Sequence, residues 1–155
     1  MTRSSRSALV ALLFLAVVPW VVQPNGAGDL TAVMSWGLLN TNPWHALPLS
    51  TYLNATQGFS TLPQSLQVWP LGLAFYCGAV GSAAGGVVFD REDVRVTVGL
   101  LALSAVSSVI VWQGLLGRGA SGAIPVGVLA IAIVTWWFYH PVLAQSGVLS
   151  APPRE

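Results

Sequence analysis

Apolar residues in this 155-residue chain gather into four long stretches, roughly Ser7–Val22, Val68–Phe89, Val96–Leu116 and Ile124–Tyr139. The charged residues all fall between or outside these stretches. A helix in hydrocarbon satisfies its own backbone but cannot hydrate a charge, so charges retreat to its ends. The pattern therefore predicts an all-α integral membrane bundle of four transmembrane helices, forming a single domain over residues 1–155. About 20 residues cross the hydrocarbon layer, which leaves one long connection, residues 26–67, as an outer loop.

That loop carries Asp29 as its one charge, yet holds Trp36, Trp44, Tyr52 and Phe59. A segment so apolar is expected to lie on the membrane surface or cap the bundle, with its aromatics at headgroup depth. Within it, Leu30–Leu39 is too short to span as a helix and predicts a re-entrant or interfacial segment, or an extension of the first hairpin. Asn42-Pro43 and Leu47-Pro48 are turn signals, and Leu49–Phe59 and Ser60–Val68 fit short interfacial helices. Farther on, the acids of Asp90-Arg91-Glu92-Asp93 precede the third apolar stretch, where a helix N-terminus favours negative charge. Pro125 fits the first turn of the fourth helix, and Pro141 is expected to end it.

Composition sharpens this picture. Hydrophobic residues make up 54% of the chain and charged residues 7%, with a mean hydropathy of +0.70. Soluble domains carry about 25% charged residues, so this surface is built to face something other than water. The net charge of +1 gives no attraction for nucleic acid. With the N-terminus inside, Arg3, Arg6, Arg91, Arg95 and Arg154 lie on the inner side and Arg118 on the outer. This bias predicts a cell-membrane protein with both termini cytoplasmic. Trp20, Trp36, Trp44, Trp69 and Trp112 then mark the outer interface, and Phe89 and Trp136–Tyr139 the inner one. The N-terminal stretch also fits a cleaved secretory signal, but Pro24–Gly28 is a poor cleavage site, which favours a retained span.

The main packing signal lies in the second span. Ala74, Gly78, Ser82 and Gly86 recur every four residues, and Cys77, Gly81 and Gly85 form the adjoining row. Small residues at this spacing let helix backbones approach closely. The face is expected to pack on span three or four, with a partner or second copy as the alternative. Cys77 has no second cysteine to pair with and reads as a packing residue. Asn42, Pro43, Trp44, His45 and Trp69 are the candidate interaction residues of the outer loop.

Candidate chemistry is sparse. His45 and His140 fall on opposite sides of the predicted membrane, so they cannot share a metal, and no metal or cofactor is expected. No span holds a paired carboxylate, and the chain has no P-loop, CxxC or HExxH pattern. Gly119-Ala120-Ser121-Gly122 matches the GxSG around the serine of rhomboid proteases, which the chain is like in little else. Asn54-Ala55-Thr56 is a glycosylation sequon on the predicted outer side.

Asn42-Pro43-Trp44-His45-Ala46-Leu47-Pro48, followed by Gln67-Val68-Trp69-Pro70-Leu71-Gly72, resembles a family of small uncharacterised haloarchaeal membrane proteins. Those proteins carry an NPWH loop and a WPLG helix entry. Asp93-x-Arg95-Val96-Thr97 and Trp136-Trp137-Phe138-Tyr139 are similar to that family's third-span entry and C-terminal end. The resemblance implies a multi-pass fold and a host with high internal salt, and implies no activity.

Three classes of function follow. The leading expectation is a non-enzymatic accessory subunit, bound to lipid and to another membrane protein or a second copy. The alternative is a small channel or carrier for a neutral or lipophilic solute. That alternative needs Ser82, Ser104, Ser107, Ser108, Gln113 and Thr135 to converge as a polar seam. The remote alternative is a membrane-embedded hydrolase using Ser121.

Overall fold

The structure is a computed structural model that describes residues 3–89, 93–120 and 122–145. Helix α1 covers Arg3–Phe14, and a single 3-10 turn extends it through Leu15–Val17. Four strands follow, β1 (Val21–Asn25), β2 (Asp29–Val33), β3 (Gly37–Thr41) and β4 (Trp44–Pro48). Then come α2 (Leu49–Ala55), α3 (Gln64–Phe89), α4 (Val94–Leu116) and α5 (Val126–Gln145).

The expected all-α bundle of four spans is therefore corrected. Residues 21–48 form a four-stranded antiparallel meander in the order β1-β2-β3-β4. Among the described residues only α3 and α4 are long and apolar enough to cross a membrane. The apolar parts of α1 and α5, Ser5–Val17 and Val126–Pro141, are shorter. The expected first span overran its helix, because Val21 and Val22 begin a strand. Much of the predicted outer loop is sheet. Leu30–Leu39 is two strand segments joined by a tight turn, in which the Met34 amide donates to the Gly37 carbonyl at 2.7 Å.

Local chemistry accounts for several boundaries. The β3–β4 hairpin turns at Asn42-Pro43, where the peptide bond is cis. Pro48 ends β4, and α2 begins with the next residue. Asp93 caps α4: its carboxylate accepts from the Arg95 and Val96 amides, satisfying donors that the helix itself leaves free. Pro141 does not end α5, which continues to Gln145.

The sheet is tied to the helices through Trp20, which is 2% exposed. Its indole lies against Gly72 of α3, and a Cβ at Gly72 would sit 2.7 Å from the ring. Its backbone lies against Gly127 of α5, where a Cβ would stand 2.6 Å from the Trp20 Cα. The Trp20 amide donates to Val33 in β2 at 2.7 Å, and its carbonyl accepts from the Gly127 amide at 3.0 Å. Trp69, 1% exposed, donates its indole N–H to the Met34 carbonyl at 2.9 Å. Both tryptophans, expected at the outer membrane interface, are instead the core between sheet and helices. Trp112 is half-buried and donates to the Ala123 carbonyl at 2.8 Å.

Added methyl groups at Gly72 and Gly127 would overpack this wedge. We expect Gly72→Ala and Gly127→Ala each to cost about 1–3 kcal/mol. Gly81→Ala, placed in open space, should instead be neutral or gain up to about 1 kcal/mol from helix propensity. Thermal melting of the purified variants checks this, and equal effects at all three positions would contradict the wedge.

Candidate functional site

Strand register brings one polar residue from each strand into a single row. Gln23 faces Thr31, Thr31 faces Asn40, and Asn40 faces His45. Side chains on one face of a sheet recur every second residue, so these four share a face, together with Asn25. Nearer the helices the same face carries Val21 and Val33, which are buried. The face thus passes from core to polar surface within a single strand length.

The row is one directed chain of hydrogen bonds. Gln23 Nε2 donates to Asn25 Oδ1 at 3.2 Å, and Asn25 Nδ2 donates to Thr31 Oγ1 at 2.7 Å. Thr31 Oγ1 donates to Asn40 Oδ1 at 2.7 Å. Asn40 Nδ2 lies 3.2 Å from His45 Nε2, which must accept. That fixes the tautomer, so His45 Nδ1 carries the hydrogen and donates to the Pro43 carbonyl at 3.0 Å. His45 is exposed, but both ring nitrogens are occupied by the hairpin itself. No local pattern marks this chain, because its members are 22 residues apart at the extremes and meet only through register.

The other predicted loop residues divide. Asn42 and Pro43 form the exposed hairpin tip. Trp44 is 71% exposed and stands on the opposite face from His45, on the same face as the exposed Leu30. Trp69 is core and is removed from the interaction set. Asn54 is exposed at the end of α2.

The predicted small-residue face of α3 also divides. Gly78 packs near Leu100 of α4, where a Cβ would come within 3.2 Å. Ser82 accepts from Thr97 Oγ1 at 2.8 Å, and Gly86 is buried. Gly81 and Gly85 meet open space: beyond the adjacent turns of their own helix, no atom among the described residues comes within 4 Å of an added Cβ. Ala74 and Cys77 are exposed too. The buried side of α3 is Gly72, Tyr76, Ala79, Ala83 and Gly86. At 100° per residue this stripe lies roughly opposite Ala74, Gly81 and Gly85. The formal GxxxG therefore points away from the protein.

The hydroxyl-bearing residues turn inward. Ser104, Ser107 and Ser108 are at most 3% exposed, while Gln113 is exposed. Ser107 donates to the Leu103 carbonyl at 2.9 Å, as helix serines commonly do. The hydroxyl oxygens of Ser104, Ser108 and Thr135 are buried with no hydrogen-bond partner among the described residues. His140 stacks on Trp136, with ring centroids 4.1 Å apart. Ser121 lies outside the described residues. Among the described residues no group of three or more His, Cys, Asp or Glu is placed to hold a metal.

Fold and surface together define a small, mostly helical protein with two helices of membrane-crossing length and a β-meander packed against its helices. The chain belongs to the family described as Domain of unknown function (DUF8050), which it matches over residues 1–147. No curated protein and no solved structure matches it.

If the hydrogen-bond chain stiffens the open end of the sheet, its middle member matters most. Thr31→Val removes the acceptor of Asn25 and the donor of Asn40, for an expected loss of about 1 kcal/mol. His45→Phe removes the acceptor of Asn40 and the donor to the Pro43 carbonyl, both at the exposed hairpin end, and should cost less. A wild-type melting temperature for Thr31→Val would show that the chain does not hold the strands.

Proposed function

We propose that the protein is a non-enzymatic accessory protein of the cell membrane that binds another membrane protein through the open glycine face of α3. The observation that carries this reading is the open space at Gly81 and Gly85, opposite the side of α3 that builds the core. Glycines in a helix cost about 1 kcal/mol each relative to alanine. Where no atom of the protein uses the space they leave, close approach by another helix is the use that offsets that cost.

Embedding is supported by the rest of the surface. Val10, Phe14, Val88, Val106, Leu129, Ile133 and Trp137 are each more than half exposed on α1, α3, α4 and α5. A water-facing protein of this size keeps such large apolar patches covered. The meander packs where α3 and α5 begin, placing Trp44 and the polar row on the side opposite Arg6 and Arg95. By the arginine distribution that sheet is external and the termini cytoplasmic.

Two experiments test this. In a Cys77→Ser background, cysteine at position 45 should be labelled by an impermeant reagent in intact cells, and cysteine at position 95 only after lysis. The reverse pattern sinks the orientation. Gly81→Leu with Gly85→Leu should leave melting unchanged but abolish co-purification of the partner from native membranes. A partner retained by that variant overturns the assignment of this face.

A second reading, a carrier for a neutral solute, is favoured by the buried unpartnered hydroxyls of Ser104, Ser108 and Thr135. Replacing Ser104 and Ser108 with Ala would then abolish flux in liposomes. Under the accessory reading the same change only relieves buried polar groups, and stability rises by about 1 kcal/mol or more.

A further inference from the structure

Helices α4 and α5 enclose a groove of about 320 Å³. Its walls are almost entirely apolar, with Val98, Ala102 and Ala105 on one side and Val128, Ile131 and Ala132 on the other. Its polar groups lie in one half. Thr135, Trp136 and His140 line the groove toward the C-terminal part of α5, which lies beside the start of α4. The Thr135 hydroxyl oxygen is buried there with no partner among the described residues.

Charge continues the same polarity. Arg95 precedes Val98 by three residues, and positions 95, 98, 102 and 105 form one helical stripe. The stripe therefore runs from alanine and valine to an exposed guanidinium. The neighbouring Asp93 carboxylate is held by the backbone amides of Arg95 and Val96 as the helix cap. Length agrees as well. From Val128 to His140 the α5 wall rises about 18 Å, close to half the roughly 30 Å hydrocarbon thickness of a bilayer. That is the depth of a single leaflet.

We infer that this groove holds one hydrocarbon chain of a membrane phospholipid from the inner leaflet, with the lipid's phosphate at Arg95. The inference rests on the membrane reading above and adds a specific ligand to it. Arginine suits this task because its planar fork pairs with phosphate oxygens while staying charged at every physiological pH. The binding is distinct from general solvation by lipid in that it selects a headgroup and persists in detergent.

The full chain, purified in mild detergent, is expected to retain about one phospholipid per protein, counted by mass spectrometry and phosphate analysis. Ala102→Phe and Ala132→Phe each fill the groove from an exposed wall position. Either should reduce retained lipid at least fivefold with melting unchanged, and using both guards against one of them failing to fold. Arg95→Gln should keep the hydrocarbon site but lose about tenfold in preference for a phospholipid over a diacylglycerol added to the micelles. Wild-type lipid content in both filled variants overturns the site. Undiminished preference in Arg95→Gln overturns the assignment of the phosphate. Alkaline carbonate extraction of native membranes separates the two levels: a chain that stays with the pellet while the filled variants keep their lipid leaves the membrane reading standing alone. A chain released by carbonate overturns both.

Discussion

Everything between the meander and the helices depends on a single close contact. Trp20 fits only because Gly72 and Gly127 have no side chains, and its two backbone groups join β2 to the start of α5. A large indole buried on all sides contributes several kcal/mol of apolar burial, on the order of 3–5 kcal/mol if removed. With it in place, Val22 also pairs with Ile124, extending the sheet's hydrogen bonding to the segment before α5. The sheet is in this way a continuation of the helical core and not an appended loop.

Aromatic donors do similar work elsewhere. A helix leaves its last carbonyls unpaired, and a helix that stops inside an apolar protein must find partners for them. Helix α1 stops early, and Tyr76 donates to the Leu12 carbonyl at 2.6 Å. Trp36 donates to the Ala16 carbonyl at 3.0 Å, in the 3-10 turn that follows. These bonds explain how so short an apolar helix ends where it does, and why the chain turns into a strand at Val21 where its composition still reads as span.

The two long helices were legible because each is apolar around its whole circumference and bounded by charge or proline. Residues 68–89 and 96–116 fall within α3 and α4, and the acidic signal at Asp93 is the observed cap. The hairpin turn at Asn42-Pro43 and the helix starting at Leu49 were legible from turn chemistry. The sheet was not, for a physical reason. Strands are recognised by alternation, which requires one polar face. Here Leu38, Leu39, Ala32 and Val33 are apolar on both faces near the helices, and the polar members begin only from mid-strand outward. Composition alone could not separate that from a short membrane segment. The glycine face was half legible: spacing marked α3 as a close-packing helix, but the residues that admit Trp20 and face the core are Gly72, Ala79 and Ala83, a different stripe from Gly81 and Gly85.

The clasp on α1 also has a temporal side. Translation proceeds from the N-terminus, so the Leu12 and Ala16 carbonyls emerge before the residues that will cover them. Trp36 arrives after α1 is complete, and Tyr76 when half of α3 is made. Until then the end of α1 holds exposed acceptors in an apolar setting, a state that costs free energy. Helix α1 is thus made before the side chains that complete its end, the later of which lies 64 positions downstream of Leu12.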